Sequence, residues 1–152
     1  MSHPLKIVCP PVVLDTNVLV AGACRQEQSM AYRVLMAVLN RRVPLMLTEG
    51  IIAEYTDVLS RPTVRKLTGL TAKQNSDLVL ELISLSHQTQ LRFSWRPNLS
   101  DEADNKFIEA AVAATALIIT YNVRDFDCAD LVKHGWDVMT PVEFSTLYDL
   151  GN

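Results

Sequence analysis

Acidic and amide side chains follow two apolar runs of this sequence, at the points where buried strands would end. Asp15 comes directly after the run at 12–14, and Asn122 and Asp125 follow the run at 117–119. The carboxyl ends of parallel strands meet at one edge of a sheet, where ligands bind. We therefore expect these three side chains to lie close together.

Three further acids could join the same edge. Asp101 and Asp104 stand at the start of an alanine-rich stretch that is predicted to be helical over residues 104–115. Glu54 lies in the predicted helix 49–59, roughly 110° from the centre of its apolar stripe at about 100° per residue. Glu54 should therefore sit beside the buried face and not opposite it.

Several carboxylates in one place repel each other unless a cation neutralises them. Oxygen ligands without histidine or cysteine select Mg²⁺, Mn²⁺ or Ca²⁺. Mg²⁺ or Mn²⁺ held by carboxylates suits phosphodiester hydrolysis, because the metal activates water and stabilises charge on the reacting oxygens. The candidate catalytic acids are Asp15, Glu54, Asp104 and Asp125, and the candidate metal ligands are these four with Asn122.

Each of these acids also has a purely structural interpretation. Asp15 is a residue type common in turns, and Glu54 fits a solvated helix position. Asp101 and Asp104 suit a helix N-terminus through the helix dipole. The metal-site hypothesis therefore depends on the combination of acids and their order along the chain.

The elements that would position these side chains alternate between short apolar runs and helical patterns. Predicted strands cover 12–14, 44–47, 117–120 and 138–139, and predicted helices cover 29–42, 49–59, 72–87 and 104–115. Capping boxes at Thr71 and Thr140 mark two helix starts. A polar loop is predicted at 121–127, a strand or loop at 91–95, and a short helix ending near His134. This alternation predicts an α/β fold with a parallel sheet covered on both faces.

Composition limits the function classes. With 152 residues and no linker or repeat, residues 1–152 are predicted to form one domain. The formal net charge of −3 argues against a passive nucleic-acid-binding module. Seven acidic and two basic residues occupy 101–130, whereas eight basic residues occupy 25–73. An acidic end could hold cations while a more basic end meets phosphate.

The cysteines predict a reducing environment. Their number is odd, their spacings are wide, and the histidines are scattered, which argues against a disulfide framework or a zinc site. We expect no signal peptide, because the N-terminus has no long apolar core and is interrupted by Pro10 and Pro11. We expect no membrane span either, because the longest apolar run, 110–119, is shorter than the roughly 20 residues needed. A cytoplasmic location is the expectation.

Four segments in order resemble the PIN-domain family over about residues 12–148. They are the opening 12–20 with Asp15-Thr16-Asn17, the third acidic motif at 97–111, the fourth at 120–126, and a closing helix beginning at 140–144. The opening motif is moderately specific, whereas all four in order are strongly specific. The branch that the sequence resembles most is the VapC-like ribonucleases, the toxin components of toxin–antitoxin pairs.

The resemblance implies a Rossmann-like α/β/α sandwich with Mg²⁺- or Mn²⁺-dependent endoribonuclease activity on single-stranded RNA. It implies a homodimer that a small antitoxin protein inhibits, and cleavage that leaves a 5′-phosphate and a 3′-hydroxyl. Asp15, Glu54 and Asp104 match the family's acids. Asn17 and Thr120 match polar residues that support the site, a role to which we add Asp101.

The fourth motif departs from the family pattern. Many members have aspartate where this chain has Asn122, which offers a carbonyl oxygen but no charge. Asp125, three residues later, could replace it. This departure leaves open a second hypothesis, a catalytically weak or inactive PIN-like module that binds RNA or protein. A haloacid-dehalogenase-type phosphatase is disfavoured, because it needs a second aspartate where this chain has Asn17.

Overall fold

A computed structural model describes residues 9–88, 105–126 and 138–151. The strands are β1 (Val12–Leu14), β2 (Met46–Leu47), β3 (His87–Gln88), β4 (Leu117–Ile119) and β5 (Val138–Met139). The helices are α1 (Thr16–Ala23), α2 (Met30–Leu39), α3 (Glu49–Ser60), α4 (Pro62–Thr68), α5 (Ala72–Leu85), α6 (Asn105–Ala114) and α7 (Pro141–Leu147). A short 3₁₀ helix spans Val123–Phe126.

Every strand pairing in the described ranges is parallel. β4 lies between β1 and β5, and β2 pairs with β3. An isolated parallel bridge between Val12 and Leu45 connects the two groups of strands. The predicted α/β fold with a short parallel sheet is therefore confirmed. β1 therefore has β4 on one side and the segment leading into β2 on the other. The strand order reverses between β1 and β4, and in parallel sheets ligands bind beside such a switch point.

The sheet is buried because its strands are continuous apolar runs. All residues of β1 and β4 are buried, as an apolar strand covered on both faces requires. Helices supply the covering side chains, among them Val18, Leu35 and Phe107. No helix in the described ranges is long and apolar enough to span a membrane.

The predicted capping boxes are present. Thr71 accepts from Gln74 N while Gln74 accepts from Thr71 N, and Thr140 and Glu143 make the same reciprocal pair. These two helix starts were specified locally, since every hydrogen bond lies within four residues.

Other predicted boundaries were wrong. The helix predicted over 72–87 ends at Leu85, because His87 donates its N–H to Leu45 O (2.8 Å) and begins β3. α4 has no predicted counterpart, and the polar loop at 121–127 contains the 3₁₀ helix. The predicted strand 44–47 is shorter, and the predicted helix 29–42 ends at Leu39. The predictions at 91–95 and near His134 lie outside the described residues.

Candidate metal centre at the carboxyl ends of β1 and β4

Asp15 lies between β1 and α1, and both of its carboxylate oxygens are hydrogen-bonded. Asp15 is the N-cap of α1 and has an extended backbone. Its Oδ1 accepts from Thr16 N at 2.7 Å. Oδ2 accepts from the Thr120 hydroxyl at 2.6 Å. The residue is 7% exposed. Its carboxylate is therefore fixed in orientation at the sheet edge.

Thr120 brings the end of β4 against the end of β1. Asp15 N donates to Ile119 O at 2.9 Å, which extends the β1–β4 ladder by one residue. Thr120 is completely buried, and its hydroxyl oxygen also accepts from Asn122 N at 2.9 Å. The hydroxyl thus connects the loop after β4 to the carboxylate after β1.

Asn17 makes a second connection between these two chain segments. Its Oδ1 accepts from Tyr121 N at 3.3 Å, so the first turn of α1 holds the residue that follows Thr120. The structure therefore brings together Asp15 and both predicted supporting residues in the described ranges, Asn17 and Thr120.

Glu54 approaches the same edge from α3. Its Oε2 accepts from the hydroxyl of Thr16, the residue that follows Asp15. Its Oε1 lies 3.0 Å from Nζ of Lys106, which stands near the start of α6. Glu54 is half-buried, as the helical wheel predicted, because its helix packs beside α1 and α6.

Tyr55, the residue after Glu54, contacts the last residue of β1. Its hydroxyl donates to Leu14 O at 2.5 Å, and the side chain is buried. Burial raises the pKa of Tyr55 well above its usual range, and the charges of Asp15 and Glu54 raise it further. The phenol therefore remains a hydrogen-bond donor at physiological pH.

Burial and two neighbouring acids disfavour the charged form of the Asp15 carboxyl. Burial raises the pKa of Asp15, and the charges of Glu54 and Asp125 add to this effect. The hydrogen bonds from Thr120 and Thr16 oppose it by favouring the charged form. A buried carboxylate in such surroundings is stabilised when a cation binds.

Asp125 and Asn122 lie on the loop beyond β4, and both are exposed. Asp125 belongs to the 3₁₀ helix, where its N–H donates to Asn122 O at 2.9 Å. Asp125 is near enough to influence the pKa of Asp15. A role for either residue as a metal ligand remains a prediction.

Asp101 and Asp104 lie outside the described residues, so their roles remain predictions. Within the described residues, no three acidic, histidine or cysteine side chains form a group that could hold a metal ion. The acids that do approach this edge offer oxygen atoms alone, and Asn122 would add a carbonyl oxygen. This donor chemistry fits Mg²⁺ or Mn²⁺.

Sequence reasoning missed three contacts at this site. Thr16 and Lys106 bind the two oxygens of Glu54, and Tyr55 holds Leu14. The contact of Thr16 could have been suspected, because Thr16 follows Asp15 directly in the sequence. The other two contacts join residues 41 and 52 positions apart, so they depend on helix packing that local patterns do not specify.

Comparisons with known proteins agree with this architecture. No curated protein matches the sequence. A crystal structure of VapBC2 from Rickettsia felis bound to a DNA fragment from its promoter contains a chain of similar fold, with a TM-score of 0.55. That chain is 14% identical, and the match covers 86% of the present chain and 98% of its own. At this identity the likeness shows the fold alone.

The family model of the PIN domain matches residues 11–124. This match covers well over half of the sequence and includes β1, α3, α6 and β4, the elements that surround Asp15. The chain belongs to the PIN-domain family.

Proposed function

We propose that this chain is a Mg²⁺- or Mn²⁺-dependent endoribonuclease that hydrolyses phosphodiester bonds of single-stranded RNA. The observation that carries the proposal is the buried Asp15 carboxylate at the β1–β4 edge, whose pKa is raised by burial and by the charges of Glu54 and Asp125. The acids at this edge of the PIN domain offer oxygen ligands for a divalent cation. The bound cation would in turn interact with the phosphate of a substrate.

The proposed metal ligands are the acids of this edge and one amide, namely Asp15, Glu54, Asp104, Asn122 and Asp125, with Asp101 in support. A bound divalent cation lowers the pKa of a water molecule and offsets negative charge on the phosphate. Thr120 and the N–H of Thr16 hold the carboxylate of Asp15 in a fixed orientation. Asn17 holds the loop that carries Asn122 and Asp125.

We further propose that the protein is the toxin of a toxin–antitoxin pair, a homodimer in the cytoplasm that a small antitoxin protein inhibits. The resemblance of its motifs to VapC-like ribonucleases supports this proposal. The fold similarity to a chain of the VapBC2 complex supports it as well. The cysteines of the described ranges, Cys9 and Cys24, are both free, which fits a reducing compartment.

The experiment is cleavage of a mixed single-stranded RNA pool with Mg²⁺, with Mn²⁺ and with EDTA. We expect the wild-type protein to cut in the presence of metal. Asp15→Asn should lower the rate by at least about a hundredfold, as loss of a group that supports the transition state does. Asp57→Asn is the matched control, since Asp57 lies on the same helix as Glu54 but is exposed and pairs with Arg61 just beyond the helix end.

The alternative is a PIN-like module that binds RNA or protein with little or no cleavage. The neutral Asn122 at an otherwise acidic position favours it. RNA binding without cleavage by folded, metal-bound wild-type protein would establish this alternative and exclude the nuclease. Asn122→Asp would then be the first variant to test for a gain of activity.

A further inference from the structure

Lys106 is a cation that the mechanism proposed above does not use. Its Nζ lies 3.0 Å from Oε1 of Glu54, and the two side chains are 32% and 19% exposed. Its Cβ lies 3.9 Å from the point that a Cβ on Gly50 would occupy. Gly50 stands one helical turn before Glu54, so the lysine side chain runs along α3 towards the carboxylate.

The ion pair lies among the other acids of the site. Oε2 of Glu54 accepts from the Thr16 hydroxyl, and the N–H of Thr16 donates to Asp15. The Glu54 charge in turn raises the pKa of Asp15. Within the residues that the structure describes, Lys106 is the cation in salt-bridge contact with an acid of this cluster. It partly balances charges that would otherwise repel each other.

We propose that the Lys106 ammonium is the internal cation of the site, which neutralises Glu54 in the metal-free protein and competes with the divalent cation for it. This inference rests on the proposed function for the assignment of Glu54 as a metal ligand. Lys106 is thus a positioning residue that sets the metal concentration at which the site fills.

The direction of the effect distinguishes competition from a structural salt bridge. A divalent cation bound to Glu54 is repelled by an ammonium group that stays beside the same carboxylate. Removing the ammonium should therefore strengthen metal binding. A lysine that merely held the helices in place would have no such effect, and its loss would weaken binding or leave it unchanged.

The first test needs no metal. In EDTA, Lys106→Met should lower the midpoint of urea unfolding, because Glu54 then faces Asp15 without a counter-ion. Adding Glu54→Gln should restore most of the loss, since the carboxamide carries no charge. Lys73→Met, at an exposed position on α5, controls for the change in net charge. Additive effects of the two substitutions would overturn the neutralising role.

The second test measures Mn²⁺ binding by titration calorimetry. Lys106→Met should bind Mn²⁺ roughly tenfold more tightly than wild type, while Lys106→Arg and Lys73→Met should match wild type. Equal or weaker binding by folded Lys106→Met would overturn the competition.

The two proposals fail in different ways. If wild type binds Mn²⁺ and Lys106→Met binds it more tightly, but neither cuts RNA, the competition holds and the nuclease proposal fails. If none of these proteins binds Mn²⁺, the competition is overturned, and the metal dependence of the proposed function is overturned with it.

Discussion

Asp15 illustrates at the residue scale how a carboxylate can be ready for a cation before the cation binds. Two hydrogen bonds fix its orientation, yet burial and neighbouring acids make its negative charge unfavourable. Thr16 and Thr120 oppose this effect only in part, because the pKa of Asp15 remains above its ordinary value. At neutral pH, the charged Asp15 should therefore lower the free energy of unfolding of the metal-free protein.

This imbalance predicts a pH dependence of stability in EDTA. Between the unfolded carboxyl pKa, 3.8, and the raised folded value, the folded state retains a proton that the unfolded state has lost. The free energy of unfolding therefore falls as pH rises through this window. Asp15→Asn removes this contribution and can still cap α1. Urea unfolding at pH 4 and pH 7 should show wild type losing stability relative to the variant, whereas parallel profiles would contradict the account.

The Tyr55 hydroxyl provides a second prediction at this scale. Tyr55→Phe leaves the ring in place but deprives Leu14 O of its donor at the end of β1. An unsatisfied buried carbonyl costs about 1–3 kcal/mol, so urea unfolding should show a loss in that range. Tyr121→Phe is the control, because Tyr121 is exposed and its hydroxyl can lose no buried contact. Equal losses for both variants would show that the Tyr55 bond contributes nothing specific.

Sequence predicted the position of Asp15 better than its contacts. An aspartate that follows an apolar strand is recognisable, and parallel strands must bring their ends to one edge. The partners of Glu54 were not predictable, because Thr16 and Lys106 reach it from α1 and α6. Those contacts depend on how three helices pack, which no local pattern of residues specifies.

At the scale of elements, the close contact between α1 and α2 positions the helix that begins at Asp15. A Cβ on Gly22 would lie 2.9 Å from Ala31 O and 3.0 Å from Leu35 Cβ. Neither neighbour is the far end of a flexible chain, so a methyl group there would force the helices apart. The glycine is therefore required by the packing of α1 on α2.

Gly22→Ala should destabilise the protein by about 1–3 kcal/mol, the usual cost of overpacking. Gly50→Ala is the matched control, since its new Cβ would lie 3.9 Å from its nearest neighbours. Alanine is the better helix former by up to about 1 kcal/mol, so Gly50→Ala should be neutral or stabilising. Thermal unfolding measures both, and a stable Gly22→Ala variant would contradict the described packing.

The sequence specified the starts of helices better than it specified the short helix α4 or the pairing of the short strand β3. Thr71 and Thr140 begin capping boxes whose bonds are local. β3 has two residues, and its pairing with β2 depends on a contact about 40 residues away along the chain. α4 has few apolar residues to reveal it, although Pro62 at its start and Gly69 with φ of 72° at its end are ordinary boundary signals.

At the scale of the whole molecule, the parallel sheet makes one site from distant parts of the sequence. Asp15 and Thr120 are 105 residues apart, yet their side chains are hydrogen-bonded. The strand order places their two strands side by side, with α3 and α6 close enough to add Glu54 and Lys106. The α/β class and the meeting of strand ends at one edge were predictable because the apolar runs alternate with helices, whereas the pairing of β1 directly with β4 was not.

The chemical ends of the RNA fragments test the central claim most directly. The resemblance to VapC-like ribonucleases implies that metal-activated water cleaves the bond to the 3′ oxygen, which leaves a 5′-phosphate and a 3′-hydroxyl. We predict these ends on fragments that wild-type protein produces with Mn²⁺, and no fragments with EDTA or with Asp15→Asn. Metal-independent fragments ending in a 2′,3′-cyclic phosphate, or intact RNA after incubation with folded, metal-bound wild-type protein, would contradict the account.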